Sequence, residues 1–223
     1  MDNVAVFVDI DNTIVKGTTL KIFGQYFLFR RKINVIFFIR LLFWYFQYKR
    51  NKLHEFTNVL SHALNMTQDW DIAATNTLLR KCFAEKIKPK LYAEIIEKLK
   101  DHHRQGHQVY FVSSTISPIV DLIVEYLGFG YSVATIPNVK DNYYTGEIIG
   151  EVCYGEEKVQ RLKQIIIDKN IRLDKSYSYS DHISDVPLLE LVGHSTVVNP
   201  CSKLAKISQK KGWEIIRTKV VIG

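Results

Sequence analysis

The chain has 223 residues, 47% of them hydrophobic and 24% charged, which is the balance of a globular protein and excludes a disordered one. Its three cysteines are widely spaced and form no CxxC pattern, which argues against a disulfide framework and a zinc site and suits a reducing cytoplasm. The net charge of +7 does not predict a nucleic-acid partner, because the whole excess lies between residues 30 and 52 and the rest of the chain is neutral.

The first predicted element is a strand over 4–9, in the stretch VAVFVDIDNTIVKG. Its unbroken apolar run is typical of a strand buried on both faces. The run is too short, and too soon interrupted by Asp9 and Asp11, to predict a signal peptide. Two carboxylates placed this close are costly unless a positive group lies between them.

A helical pattern then covers residues 19–105, whereas a crossover between parallel strands needs only about a dozen residues. We therefore predict an inserted helical cap over 17–85 and a core domain formed by 1–16 and 86–223. Gly17 is a candidate hinge, or it simply makes a turn.

Beyond the cap, strands alternate with helices. Strands are predicted over 108–113, 132–135, 176–180, 195–199 and 213–217, helices over 117–129, 156–170, 185–193 and 202–211, and a hairpin over 138–153. This order predicts an α/β fold, with a mostly parallel sheet and helices on both faces. Ligands of such sheets bind beyond the carboxyl ends of the strands, where Asp9, Ser113 and Asp181 would meet.

Four motifs carry the candidate chemistry: DIDNT from Asp9 to Thr13, Ser113 in FVSST, Lys158 in GEEKV, and Asp181 with Asp185 in SDHISD. Each has an ordinary structural explanation on its own, since a serine caps helices, a lysine in a first helical turn is usually solvated, and acids complement a helix dipole. Their order and their shared position at strand ends favour a catalytic site.

On these motifs, and on SPIVDLIVEYLGF, VAT, YYTGEIIGEVCYGEEKV and SDHISDVPLLELVG, the sequence resembles the haloacid dehalogenase superfamily over nearly its full length. The resemblance is greatest to subfamily IB, which includes phosphoserine phosphatase and histidinol-phosphate phosphatase-like enzymes. It implies a Rossmann-like core with an all-helical cap between the first two strands. It also implies a Mg²⁺-dependent phosphatase that hydrolyses a small phosphomonoester through an aspartyl-phosphate intermediate.

The same resemblance implies roles for single residues. Asp9 would be the nucleophile and a metal ligand, and Asp181 a second ligand. Asp11 would act as general acid and base, and would bind the metal through its backbone carbonyl. Ser113 and Lys158 would hold the phosphoryl oxygens.

Two further roles stay open. Asp185 would orient a water or the Lys158 ammonium group. The Thr13 hydroxyl either supports Asp9 or caps the following turn.

The sequence departs from phosphoserine phosphatases in two places. Ser114 and Thr115 follow Ser113 where those enzymes carry two glycines, and no acidic residue lies between Asp11 and Glu55 to bind a substrate ammonium group. Phosphoserine is therefore a doubtful substrate.

Seven basic residues lie in 30–52 with no acid among them: Arg30, Arg31, Lys32, Arg40, Lys49, Arg50 and Lys52. The apolar stretch 33–46 between them would span about 21 Å as a helix, less than the roughly 30 Å of a bilayer's hydrocarbon core, so a transmembrane span is not favoured. It is either a core helix of the cap or a helix at an anionic membrane surface. The second alternative predicts a lipid phosphatase of the phosphatidylglycerophosphatase type, peripheral to the inner membrane.

The histidines form no metal-binding pattern. We expect His102 and His103 at a solvated helix end, and His182 either lining the site or simply filling its loop.

Overall fold

Strand β1 (Ala5–Val8) lies at the centre of the sheet in the computed structural model, which describes residues 3–49 and 63–223. Within these residues seven strands form one sheet in the order β4-β3-β2-β1-β5-β6-β7. The other strands are β2 (Gln108–Ile116), β3 (Tyr131–Lys140), β4 (Tyr143–Ile149), β5 (Tyr177–Ser180), β6 (His194–Val198) and β7 (Glu214–Ile216). All neighbours are parallel except the hairpin β3-β4, so the predicted α/β fold is confirmed.

The continuous apolar run of β1 is explained by cover on both faces of the sheet. Val6 and Val8 belong to a large hydrophobic cluster on one face, whereas Ala5 and Phe7 belong to a second cluster that also contains Leu162. All four β1 side chains are fully buried. A central parallel strand has no solvated face, and its sequence shows no alternation for that reason.

The helical segment between β1 and β2 is interrupted rather than continuous. It contains α1 (Thr19–Phe29), α2 (Val35–Lys49), α3 (Ile72–Cys82), a π-helical turn (Phe83–Ile87), a 3₁₀ turn (Lys88–Lys90) and α4 (Ala93–Arg104). The Asp71 carboxylate accepts the Ala74 N–H and so caps α3. The part of the predicted helical pattern over 50–62 lies outside the described residues.

The later helices are α5 (Ser117–Leu127), α6 (Glu156–Asp168), α7 (Val186–Glu190) and α8 (Ser202–Lys211), with 3₁₀ turns at Leu173–Lys175 and Ile183–Asp185. Helix α5 ends at Gly128, whose φ of 77° lies in the left-handed region that favours glycine after a helix. The helix predicted over 185–193 covers only Val186–Glu190, because Asp185 belongs to the preceding 3₁₀ turn and the helix ends before Leu191.

Strand β2 runs three residues past its predicted end, to Ile116. Its pairing with β3 shifts register between Ser113, opposite Ala134, and Ile116, opposite Thr135. This irregularity places the backbone of Ser113 and Ser114 at the edge where the parallel strands end. The sequence pattern of β2 does not predict this register shift, because the shift depends on the pairing with β3.

Helix α2 is only partly packed. Ile33, just before it, and Phe38 are buried, whereas Val35, Ile36 and Ile39 expose 59%, 73% and 58% of their surfaces. Among the described residues no helix is long and apolar enough to cross a membrane. The basic residues Arg50 and Lys52 lie outside the described residues.

The expectation of a solvated His102 is wrong. Helix α4 packs its Ile95, Leu99 and His102 stripe against the sheet, and only 9% of His102 is exposed. Its Nε2 lies 2.9 Å from the hydroxyl oxygen of Tyr179, and its Nδ1 lies 2.9 Å from Nδ1 of His107. His103, one residue on, is exposed and stacks on Phe129.

Candidate active site

Asp9 is held at the carboxyl end of the central strand. Its N–H donates to the Tyr179 carbonyl oxygen at 2.9 Å, which continues the pairing of β1 with β5. The Ile10 carbonyl then accepts N–H groups from the next turn of chain, including that of Ile14 at 3.0 Å. The carboxylate of Asp9 is therefore aimed from a rigid position, and 6% of the residue is exposed.

A closed loop follows Asp9. The Gly17 N–H donates to the Asn12 side-chain oxygen at 3.1 Å, and the Asn12 N–H donates to the Gly17 carbonyl at 3.1 Å. Gly17 has a φ of +100°, a conformation that favours glycine. This shows the turn role of Gly17, while its hinge role stays a prediction.

Lys158 lies between two buried carboxylates. Its Nζ is 2.6 Å from Oδ1 of Asp9 and 2.7 Å from Oδ2 of Asp185. The Ser180 hydroxyl donates to the same Asp185 oxygen at 2.6 Å. Asp185 thus orients the Lys158 ammonium group, which is one of the two alternatives left open by the sequence.

The position of Lys158 follows from where α6 begins. Gly155, with a φ of +58°, precedes the helix, and Lys158 lies in its first turn. Helical side chains lean toward the helix N-terminus, so this lysine reaches the end of the sheet instead of water. Only 2% of it is exposed, which rules out the solvated alternative.

Thr13 supports Asp9. Its hydroxyl donates to Oδ2 of Asp9 at 3.1 Å, while Oδ1 accepts from Lys158. Both carboxylate oxygens are therefore fixed, which leaves lone pairs free on each for a further ligand.

The carboxylates of Asp11 and Asp181 complete an acidic cluster around Asp9. Oδ1 of Asp11 accepts the N–H of Thr19, the first residue of α1, at 2.9 Å. Asp181 directly follows β5, next to Asp9 across the sheet. Both residues are partly accessible, as a site open to substrate requires.

Burial and mutual repulsion make this cluster unfavourable when fully ionised. Burial, followed by the nearby Asp185 and Asp11 charges, raises the pKa of Asp9 to about 7 against the opposing pull of Lys158. Burial raises the pKa of Asp11 to about 6. Burial, with Asp9 as the next contributor, raises the pKa of Asp181 well above its usual value. Burial by itself would lower the pKa of Lys158, but Asp185 and Asp9 outweigh it and raise that pKa.

The donor set fits a magnesium ion. Among the described residues no three His, Cys, Asp or Glu side chains are grouped to hold a metal by themselves. Mg²⁺, however, is usually bound by one or two carboxylates with waters and other oxygens. Asp9 and Asp181 supply such a pair, and burial together with neighbouring carboxylate charges raises both pKa values, so a cation bound here would favour the ionised forms.

Ser113 lies one strand away from Asp9, at the point where the pairing of β2 with β3 shifts register. It is buried, and its Oγ accepts the Thr115 N–H at 3.2 Å. The structure therefore brings Ser113 to the same edge of the sheet as the acidic cluster. Its phosphoryl-binding role stays a prediction.

Thr19 and Thr115 join the site without having been singled out as a pair by the sequence. Their hydroxyl oxygens lie 3.1 Å apart, which ties the first turn of α1 to the end of β2. The N–H of Thr19 holds Asp11 at the same time. The available signal was the pair Thr18 and Thr19 that follows Gly17, and a threonine at this place is also the signature of an ordinary helix start.

Comparisons with known proteins identify a family model and relatives that the chain resembles. The sequence matches the family model described as haloacid dehalogenase-like hydrolase over residues 6–190. It is 32% identical to a probable phosphatase of Mycobacterium tuberculosis over 95% of this chain and 74% of that protein. It is 26% identical to a histidinol-phosphatase of Neisseria meningitidis over 98% of this chain and 100% of that one.

A solved structure shows the same fold. The crystal structure of a protein of unknown function from Bordetella pertussis superimposes with a TM-score of 0.88 and 24% identity, covering 97% of this chain and 99% of that one.

Proposed function

The chain belongs to the haloacid dehalogenase-like hydrolases, and from that premise we propose that it is a Mg²⁺-dependent phosphatase that hydrolyses a small phosphomonoester through an aspartyl-phosphate on Asp9. The observation that carries the proposal is the buried contact of 2.6 Å between Lys158 Nζ and Asp9 Oδ1. A carboxylate fixed by an ammonium group at the end of a central strand is poised to attack phosphorus beside a positive charge.

In the first step an Asp9 carboxylate oxygen attacks phosphorus, and the bond between phosphorus and the leaving oxygen breaks. Asp11 gives its proton to that oxygen, so the product leaves as a neutral alcohol. Burial raises the pKa of Asp11 to about 6, which favours its protonated form more than in an exposed aspartate. The ammonium group of Lys158 and the hydroxyl of Ser113 hold the phosphoryl oxygens.

In the second step Asp11, now ionised, takes a proton from a water molecule that attacks the phosphorus of the aspartyl-phosphate. The acyl–phosphate bond breaks, phosphate leaves and the Asp9 carboxylate is restored. Mg²⁺ bound by Asp9, Asp181 and the Asp11 backbone carbonyl would add positive charge at the phosphoryl oxygens.

Residues 17–85 would form a cap over this site, with 1–16 and 86–223 as the core. The contact of Thr19 with both Asp11 and Thr115 supports the placement of the insertion over the site, since it joins the first helix of the insertion to the candidate acid and to β2. The substrate would be a small phosphorylated metabolite. Phosphoserine is disfavoured because its ammonium group lacks an acidic partner between Asp11 and Glu55.

The test is phosphate release from a panel containing histidinol phosphate, phosphoserine, sugar phosphates and nucleotides, with and without Mg²⁺. We expect Mg²⁺-dependent turnover by the wild type, and a covalent phosphoenzyme after acid quenching with ³²P-labelled substrate. The Asp9→Asn variant should show neither, while Asp168→Asn, at an exposed helix end, should behave as wild type. Substantial turnover by Asp9→Asn would falsify the mechanism.

Action at an anionic membrane surface is a second candidate, and one observation favours it. Val35, Ile36 and Ile39 are exposed on one face of α2, next to the exposed basic run Arg30 to Lys32. Apolar side chains flanked by cations suit the interface of an anionic bilayer. The substrate would then be a lipid phosphomonoester, and the enzyme would be a cytoplasmic protein peripheral to the membrane.

Vesicle co-sedimentation tests this second candidate. We expect binding to phosphatidylglycerol vesicles, weakening with salt, and little binding to phosphatidylcholine vesicles. The double variant Ile36→Gln/Ile39→Gln should lose binding, whereas Ile149→Gln, at an exposed position of β4, should keep it. Equal sedimentation of all three proteins would exclude the α2 face as the contact.

A further inference from the structure

A cavity of about 90 Å³ lies between the helical insertion and the end of strand β2. Leu20, Phe23 and Phe27 from α1 line one side of it. Thr75 and Leu79 from α3 and Ile119 from α5 line the others. Its size is of the order of the roughly 150 Å³ apolar cavity that takes up benzene in another protein, so it could hold one aromatic ring or a short alkyl chain.

The cavity shares a wall with the candidate catalytic site. Thr115 lines it, and the Thr115 hydroxyl lies 3.1 Å from that of Thr19, whose N–H holds the Asp11 carboxylate at 2.9 Å. The N–H of Thr115 also donates to Oγ of Ser113. Asp11 would protonate the leaving oxygen of the substrate. The part of the substrate beyond that oxygen would therefore lie next to this cavity.

The walls are apolar. Among the described residues that line the cavity no side chain carries a charge. The hydroxyl of Thr67 donates to the Leu64 carbonyl at 2.7 Å, and that of Thr115 is engaged with Thr19. The other polar groups in the lining belong to Trp70, Thr75 and Tyr144 and are uncharged. An ammonium group placed here would lose hydration without a compensating charge, while an apolar group would gain from leaving water.

We propose that the cavity binds an apolar group of the leaving alcohol, so that the substrate is a phosphomonoester carrying a short alkyl or aromatic moiety next to the phosphate. This inference rests on the proposed function and names its substrate class. It places Thr75, Leu79 and Ile119 as residues that set specificity, while the chemistry stays with Asp9 and Asp11.

The experiment measures kcat/KM for n-alkyl phosphates from ethyl to hexyl, whose leaving groups differ almost only in apolar length. We expect kcat/KM to rise about fourfold for each methylene until the cavity is filled, and then to level off. A matched pair of substrates adds a charge at nearly constant shape. The kcat/KM for n-propyl phosphate should exceed that for O-phosphoethanolamine by about tenfold or more. A flat series, or no preference within the pair, would overturn the inference.

Matched variants tie the effect to this cavity. Thr75→Leu fills space from α3 and should flatten the dependence on chain length, whereas Thr77→Leu, the same change at an exposed position of the same helix, should keep the wild-type slope. Ile119→Val enlarges the cavity slightly, so kcat/KM should level off at a longer chain than in the wild type. If Thr75→Leu folds poorly, Ile119→Val alone decides, and levelling off at the wild-type chain length would count against the cavity.

Acetyl phosphate separates the two proposals, because its leaving group is activated and needs little binding by the cavity. If acetyl phosphate is hydrolysed but kcat/KM does not change with alkyl length, the proposed phosphatase function stands and the proposed apolar substrate class is wrong. No Asp9-dependent turnover of any compound would overturn both.

Discussion

Lys158 Nζ lies 2.6 Å from Oδ1 of Asp9, although 149 positions separate the two residues along the chain, and both side chains are buried. The same nitrogen lies 2.7 Å from Oδ2 of Asp185. One cation therefore compensates two carboxylates that are almost fully buried. Removing one partner of a buried ion pair typically costs about 3–5 kcal/mol, because the remaining charges are left without compensation.

Lys158→Met should lower the free energy of unfolding by about 3 kcal/mol at pH 8 in the presence of EDTA. The loss relative to wild type should shrink at pH 6, because Asp9, whose pKa is already raised by burial, then accepts a proton and no longer needs the cation. Urea unfolding at both pH values measures this. Lys163→Met, at an exposed position of the same helix, is the control and should change little. An equal loss at the two pH values would contradict the charge argument.

Asp11→Asn should separate the two chemical steps. With 4-nitrophenyl phosphate the leaving group needs no proton, so Asp9 should still be phosphorylated, while hydrolysis of the aspartyl-phosphate lacks its base. Rapid-mixing kinetics should show a burst of about one nitrophenolate per enzyme, followed by a much slower steady rate. Steady turnover at the wild-type rate without a burst would remove Asp11 from the mechanism.

Asp181→Asn should weaken Mg²⁺ binding. The wild-type melting temperature should rise with added Mg²⁺, since an ion that binds only the folded state stabilises it by mass action. In Asp181→Asn the same rise should require a much higher Mg²⁺ concentration. Asp168→Asn, which changes an exposed carboxylate, should follow the wild type. Superimposable titrations of the Asp181 variant and the wild type would show that this carboxylate does not bind the metal.

His102 should make the fold sensitive to mild acid. Burial, followed by the His107 and Lys98 charges, lowers the pKa of His102 to about 4, against about 6.5 for an unfolded chain. The neutral imidazole therefore contributes stability that is present above pH 6.5 and is lost as the pH falls toward 4. Linkage predicts that the contribution of His102 to the free energy of unfolding falls by about 2 kcal/mol between pH 7.5 and pH 5.

The measurement is urea unfolding at these two pH values. Between pH 7.5 and pH 5 the free energy of unfolding of His102→Gln should fall by about 2 kcal/mol less than that of the wild type. His103→Gln changes the exposed neighbouring histidine and should lose as much as wild type. If His102→Gln also matches wild type, the buried imidazole is not the acid-sensitive group.

Much of the architecture is present in local patterns. The apolar run of 4–8 indicates a strand covered on both faces, and the alternation of strands and helices indicates a parallel sheet. Since the carboxyl ends of parallel strands meet at one edge, the positions of Asp9 and Asp181 along the chain already bring them together. Gly128 ends its helix because glycine readily adopts the left-handed conformation, which is a property of that residue alone.

Tertiary structure alone decided the contacts that depend on which elements pack together. Whether Lys158 is solvated or buried depends on the direction in which α6 leaves Gly155, and whether His102 is exposed depends on the packing of α4 against β5. The Thr19 and Thr115 contact and the apolar cavity beside it arise where the insertion meets β2. Sequence periodicity reports which side of an element avoids water, because that is a local property. Sequence periodicity does not show which surface packs against that side, and the packing surface determines the shape and polarity of the site.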